Sequence, residues 1–338
     1  MQRARWRLAG CALAVLLSAC AGPAPTTDTA EPSAETTLFY GTNRNRRDDS
    51  RPKKFYGEQR GALEYGVAEF SVEKDMARLQ TVTPLPRESF LQALHYELAN
   101  VESPEILVFV HGYLRSFAQS ARVVAQFSQD TGFRGVPMVW SWPSTSNPTR
   151  YTVDETSAKW ARADFAIFLR DIIQQSGAQT VHLVGHSLGG RSLVNTVLYK
   201  LLPAGIELDK VGQFVLLAPD IDRDIFARDL APRLRQARLN TTLYTANNDL
   251  AMHTAYRVHG HRRAGDSSEG PLLVPGIQTI DVTAANRSVL GHSYFEESEQ
   301  VSRDLAQLLN SGVPAERRIQ LEPVQQGEMQ YWRLTVDK

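Results

Sequence analysis

Residues 180–193 read TVHLVGHSLGGRSL. An apolar run from Val181 to Val184 has the composition of a buried strand, and the segment from Leu188 to Leu202 has helical period. Gly185-His186-Ser187-Leu188-Gly189 therefore sits at a strand-to-helix turn, the setting in which a serine becomes an exposed nucleophile. The two glycines have a steric reason, because in so sharp a turn side chains at 185 and 189 would strike neighbouring backbone. Ser187 is thereby pushed out at the end of the sheet, with the N–H of Leu188 pointing into the same space beside the positive end of the helix. Gly-x-Ser-x-Gly alone equally fits a glycine-rich turn with a solvated serine, so the surroundings have to decide.

Working outward, short apolar runs alternate with helix-period segments from Ile106 onward. The runs are ILVFVHG, VPMVWSW, TVHLVGH, QFVLLAPD, NTTLYTAN and IQTIDVT. Helices are expected over 117–129, 154–176, 188–202, 223–236 and 293–310. In the second of these, Trp160, Phe165, Phe168, Leu169, Ile172 and Ile173 recur at near-helical spacing. Continuous Val/Leu/Ile strands between amphipathic helices predict an α/β fold with a mostly parallel central sheet covered on both faces. Two further strands are expected earlier, in TLFYGTNR and GALEYGVAEFSV, with the charged NRNRRDDSRPKKFYGEQR as an exposed loop between them. Residues 262–276, RRAGDSSEGPLLVPG, read as a long loop within the main domain. The tail, with two alternating runs around Gln326-Gly327, reads as a small hairpin.

The chain has 338 residues, 42% hydrophobic and 22% charged, with a formal net charge of zero. That is ordinary globular usage and argues against disorder, a multi-span membrane protein or a nucleic-acid-binding surface. The opening MQRARWRLAGCALAVLLSAC differs. Arg3, Arg5 and Arg7 precede an apolar stretch from Leu8 to Leu17 and a small-residue step, the pattern of a secretory signal peptide. Its closing LSAC resembles the lipobox of bacterial lipoproteins, which implies cleavage before Cys20 and lipidation of that cysteine. The other cysteine, Cys11, would leave with the leader. The following AGPAPTTDTAEPSAET reads as a flexible tether. The expected organisation is a leader at 1–19, a lipidated N-terminus and tether at 20–36, a folded domain at 37–311 and a C-terminal extension at 312–338.

Upstream of the elbow, LVFVHGYLRS places His111-Gly112-Tyr113 directly after a buried strand, where a second oxyanion donor is expected. The N–H groups of Tyr113 and Leu188 would together hold a developing oxyanion. With FYGTNRN, VFVHGY, WSWPS, LVGHSLGGR, LLAPDIDRDIF, YTANNDLAM and LGHSYF, the chain resembles the alpha/beta-hydrolase fold, and in particular an uncharacterised bacterial family of esterase-like or lipase-like proteins. The resemblance spans roughly residues 37–310 and implies a triad in the order Ser, acid, His. His292, in Leu290-Gly291-His292-Ser293-Tyr294, stands at the position of the histidine. Asp249, after the strand in NTTLYTAN, matches the family's usual acid. Asp220 and Asp222, after the intervening strand, are the alternatives, with Asp222 also well placed to cap a helix.

These readings lead to an expectation of a serine hydrolase cleaving a small or medium carboxylic ester through an acyl-enzyme, with no metal or organic cofactor, held by a lipid anchor at the cell envelope, in the outer membrane facing the periplasm. Alternatives are acyl transfer, thioester or amide hydrolysis on the same triad, or a non-catalytic envelope binding protein with this fold. His253, His259, His261 and Asp266 lack the spacing of a metal motif. They are expected in an exposed loop with Arg257, Arg262 and Arg263. One of Trp140 and Trp142 is expected in the core, and the other lining the substrate pocket.

Overall fold

The computed structural model describes residues 34–73, 76–287 and 291–336. The leader, Cys20 and most of the expected tether lie outside these residues.

An eleven-stranded sheet organises the described chain, in the order β10-β11-β9-β8-β7-β6-β4-β5-β1-β2-β3. Its centre is built from β4 (Glu105–Val110), β5 (Val136–Ser141), β6 (Thr180–His186), β7 (Val211–Leu217), β8 (Asn240–Thr245) and β9 (Ile277–Asp281). These pair in parallel, and β1 (Ala34–Arg46) joins β5 in parallel too. Antiparallel pairs close both edges, the one beyond β9 joined to it through a parallel strand. β2 (Tyr56–Glu73) and β3 (Met76–Leu85) follow β1 on one side, while β10 (Leu321–Gln326) and β11 (Met329–Leu334) form a hairpin docked on β9 on the other.

Alternation along the strands sorts the core into two halves. On β4, Ile106, Val108 and Val110 enter one hydrophobic cluster and Leu107 and Phe109 the other, as a period of two requires. The first cluster is covered by α1 (Arg87–Leu98), α3 (Tyr151–Gln175) and α4 (Leu188–Thr196), the last continued by a wider turn to Leu201. The second is covered by α2 (Phe117–Asp130) and, near the chain end, α8 (Tyr294–Glu297) and α9 (Glu299–Ser311). Shorter helices α5 (Arg223–Ile225), α6 (Ala231–Gln236) and α7 (Leu250–His259) join the remaining strands. Among the described residues no helix is long and apolar enough to cross a membrane.

Several expectations change. The tail is indeed a hairpin, but it belongs to the main sheet: Arg318 donates to Asp304 at 2.8 Å and to the Tyr244 hydroxyl at 3.0 Å, fully buried. Strand β3, helix α1 and helix α7 were not expected. His253, Arg257 and His259, expected in an exposed loop, lie on α7 because Asp249 caps it and Gly260 ends it with φ of 73°. Trp160 stands outside the buried stripe of α3, under the Arg60 guanidinium.

The order of strands places β4 beside β6, with β5 beyond β4. After β4 the chain moves one way along the sheet, and from β6 it moves the other. Such a switch opens a crevice at the carboxyl ends of the strands, where ligands of open α/β sheets bind. His111–Tyr113 and Ser187 both sit at that crevice.

Candidate active site

Ser187 lies between β6 and α4 with φ 52° and ψ −124°, a backbone conformation that costs a non-glycine residue energy and is held by its surroundings. A methyl group on Gly185 would come within 2.6 Å of the Gly190 Cα, and one on Gly189 would overlap the carbonyls of Val110 and His111. The elbow is thus wedged against the end of β4. The Ser187 N–H donates to Leu217 on β7 at 2.9 Å, and its carbonyl accepts from Asp220 at 3.2 Å. As the first helical residue, Leu188 has an N–H without an intrahelical acceptor.

Gly112 brings the β4 loop onto the elbow, since a methyl group there would lie 3.0 Å from the Ser187 Cβ and 2.8 Å from the His186 Nδ1. Only glycine permits Tyr113 to follow so closely. Buried Arg44, from the FYGTNRN stretch, steadies this loop: it donates to the carbonyls of Arg115 (2.6 Å), Gly57 and Ser144 (both 3.1 Å) and to the Ser141 hydroxyl. Burial pushes its guanidinium down to about 9, partly offset by the charge of Asp154.

His292 Nδ1 lies 2.8 Å from Asp249 Oδ2. Asp249 is wholly buried at the end of β8, and its other oxygen accepts from the Met252 N–H at 3.0 Å, so one carboxylate both caps α7 and holds the imidazole. The loops carrying this pair are pinned together. Asn286 donates to Asn248 Oδ1 at 2.8 Å and to the Gly291 carbonyl at 2.6 Å, and Gly291 passes so close to the Asn248 carbonyl, with φ of 67°, that no side chain fits there. Burial works to lower the His292 pKa, but the charge and hydrogen bond of Asp249, with a smaller contribution from Asp220, outweigh it and raise the pKa above the ordinary histidine value. With Nδ1 engaged by Asp249, Nε2 is the nitrogen left for chemistry.

Ser187, His292 and Tyr113 line one cavity of about 810 Å³. Asp220 borders it but is committed elsewhere. Arg263 donates to its Oδ1 at 2.6 Å, Arg191 to its Oδ2 at 2.9 Å, and the Tyr151 hydroxyl to Oδ2 as well. Burial opposes its charge, yet the two guanidinium groups hold its carboxyl below the usual range. Asp222 caps α5, accepting from Asp224 and Ile225 at 3.0 Å each. Of the three candidate acids, then, the fold brings Asp249 alone into hydrogen-bond contact with His292.

Other expectations fare differently. Trp140 and Trp142 are both fully buried and neither reaches the cavity. Trp142 stacks on His111 with 5.0 Å between centroids and donates to its carbonyl at 2.9 Å. Its place in the wall is taken by Tyr113, Tyr151 and α7. Arg263 is buried rather than solvated. His259 faces Glu155 at 3.3 Å and the Tyr151 hydroxyl at 3.2 Å, and His253 stands 3.7 Å from Asp266. No group of three or more His, Cys, Asp or Glu among the described residues is arranged to hold a metal ion.

Sequence reasoning missed two residues. His186 reaches the carbonyl of His292, and Arg115 pairs with Glu296 and donates to Ser293 at 3.4 Å, joining the oxyanion loop to the histidine loop. Neither carries a local signal, because their partners are more than a hundred residues away.

The parallel sheet, the strained serine at the end of β6 and the histidine before the last helices define an alpha/beta hydrolase. The chain belongs to a family described as alpha/beta hydrolase of unknown function (DUF900), whose model matches residues 87–311. Similar solved structures include a predicted CIB-like hydrolase from Thermoplasma acidophilum, at 14% identity over 73% of this chain and 92% of that one, with a TM-score of 0.36. The naproxen esterase (carboxylesterase NP) of Bacillus subtilis is similar at 14% identity over 82% and 93%, TM-score 0.40. The catalytic core domain of acetyl xylan esterase from Trichoderma reesei is similar at 15% identity over 62% and 98%, TM-score 0.37. No curated protein matches the chain.

Proposed function

We propose that the protein is a serine hydrolase that cleaves carboxylic esters through a covalent acyl-enzyme. The observation that carries this reading is the Asp249–His292 hydrogen bond at the rim of the cavity that Ser187 also lines. Ser187 Oγ attacks the ester carbonyl while His292 Nε2 takes its proton. Asp249 keeps the imidazole in the tautomer with Nε2 free and stabilises the imidazolium, without accepting the proton. The N–H groups of Tyr113 and Leu188 receive the oxyanion. As the tetrahedral intermediate collapses, His292 returns the proton to the leaving alkoxide and the alcohol departs. A water then gives a proton to His292 and attacks the acyl-Ser187 ester, and collapse restores the serine and releases the acid. No step uses a metal or an organic cofactor.

Fluorophosphonate labelling of the protein without its leader tests the reading. Wild type should label, Ser187→Ala should not, and His292→Ala should label at a small fraction of the wild-type rate. A folded wild type that resists the probe would favour a non-catalytic binding protein instead. Hydroxylamine or alcohol acceptors supplied to the acyl-enzyme then separate hydrolysis from acyl transfer.

For its place in the cell we propose a lipid anchor on Cys20 in the outer membrane, facing the periplasm. The support is sequence alone: the basic, apolar and small-residue steps before LSAC, and Ala21 rather than an aspartate after the cysteine. Radiolabelled palmitate should enter the wild-type chain and fail to enter Cys20→Ser, which should fractionate away from membranes.

A further inference from the structure

The cavity over Ser187 has an apolar wall that ester cleavage by itself does not require. Helix α7 supplies it through Leu250, Ala251, Thr254, Ala255 and Val258. At 3.6 residues per turn these positions fall on one stripe of the helix. Met252, at the border of this stripe, lines the cavity too and is buried. Leu250 and Val258 are 50% and 55% exposed. Burial covers Met252 and Ala255 but leaves the exposed Leu250 and Val258 without a packing reason.

The lining also carries Tyr113 and Tyr151, whose rings meet edge to face at 5.4 Å. Charge is present around the cavity but spoken for. Arg115 is paired with Glu296, Asp220 with Arg191 and Arg263, His292 with Asp249, and Glu297 is engaged as well. Among the described residues, no charged side chain in the lining stands ready for a carboxylate or an ammonium on a ligand. The stripe starts at the residue after Asp249 and runs eight positions, about 12 Å at the helical rise. A ligand with its carbonyl at Ser187 has this stripe as its apolar neighbour.

On the reading that Ser187 is the nucleophile of an ester hydrolase, we propose that the substrate is an uncharged ester bearing an unbranched aliphatic chain of roughly six to ten carbons, lying along the α7 stripe. The chain belongs to the acid or to the alcohol half of the ester, and the chemistry that recognises it is the same. Each methylene moved from water onto the stripe should raise kcat/KM by up to about fourfold. The gain should stop where the chain passes Val258.

Two substrate series test this on the protein without its leader. One is p-nitrophenyl esters from acetate to palmitate, and the other is alkyl acetates from ethyl to decyl. A rise in kcat/KM of at least a hundredfold in either series, levelling near ten carbons, supports the proposal, and the responding series tells which half carries the chain. Val258→Asp should then lower the eight-carbon-to-two-carbon ratio of kcat/KM in the responding series at least tenfold, with its melting curve showing an intact fold. Flat profiles in both series, or a preference for a half-ester with a free carboxylate, overturn it. If fluorophosphonate fails to label Ser187, the hydrolase reading fails by itself, and binding decides the chain proposal. Calorimetry on Ser187→Ala should show octyl acetate bound at least tenfold more tightly than ethyl acetate, and equal affinities overturn it.

Discussion

His186 and His292 are joined twice: the Nε2 of His186 lies 3.1 Å from the backbone carbonyl of His292, and the two rings stand 4.6 Å apart. A carbonyl only accepts, so Nε2 of His186 carries the proton. Burial, followed by the neighbouring His292 and Arg115, drives the His186 pKa well below its ordinary value and keeps the ring neutral. The residue before the nucleophile thus anchors the loop that delivers the proposed base.

Removing that anchor should loosen His292 without removing it. His186→Phe fills much the same space and leaves a carbonyl without its donor, at a cost of about 1–3 kcal/mol of stability. We expect kcat to fall by about tenfold with KM little changed, and His186→Gln, which can still donate, to recover part of the loss. Steady-state kinetics on both variants check this, and equal losses in the two would mean that His186 only packs.

Asp249→Asn should slow turnover by roughly three to four orders of magnitude. It should also move the acid limb of the pH profile. Because Asp249 raises the His292 pKa against burial, the wild-type limb should lie above the ordinary histidine value of about 6.5, and activity should be lost as pH falls through it. Without the aspartate charge, burial dominates and the limb moves to lower pH. A profile of kcat/KM against pH for both proteins measures the shift.

Asp220→Asn separates a structural carboxylate from the triad. Fluorophosphonate labelling should persist, while stability falls by about 3–5 kcal/mol because Arg263 is left buried without its counter-charge. The native carboxyl is held below the usual range, so the wild-type advantage should be complete above a pH of about 4 and shrink as the pH falls through the lowered native value. Urea unfolding at several pH values checks both the size and the sign.

Gly189→Ala should disturb the elbow before any chemistry. Its new methyl group meets two backbone carbonyls at the end of β4, which cannot swing aside as a side chain can. A loss of roughly 3 kcal/mol or more is expected, with weaker labelling of Ser187 as the turn shifts. Gly205→Ala, with open space around it but a positive φ, should cost less, about 1 kcal/mol. Thermal melts of the two variants compare a steric clash with backbone strain alone.

The six central strands and the serine turn were legible in the chain because their causes are local. A parallel strand buried on both faces reads as an unbroken apolar run, and a turn that sharp leaves glycine on either side of the serine. Resemblance supplied the order of the proposed triad. What lay beyond local reading was whatever depends on a partner far away. Strand β3 shows little apolar pattern because it sits at the polar edge of the sheet. Helix α7 was missed because its apolar stripe faces a cavity rather than the core, so its sequence mixes Leu250, Ala251 and Val258 with His253 and Arg257.

Asp220, Asp222 and Asp249 all follow parallel strands, and spacing cannot tell them apart. Loop geometry can: two asparagines and a glycine pin the Asp249 loop to His292, while two arginines claim Asp220 and a helix terminus claims Asp222. The sequence by itself determined the alternation of strand and helix and the strained serine, since backbone sterics and apolar periodicity act within a few residues. Only the tertiary structure decided which carboxylate meets the histidine and what lines the cavity, because those contacts join segments tens to hundreds of residues apart, and their energies exist only once the sheet has assembled.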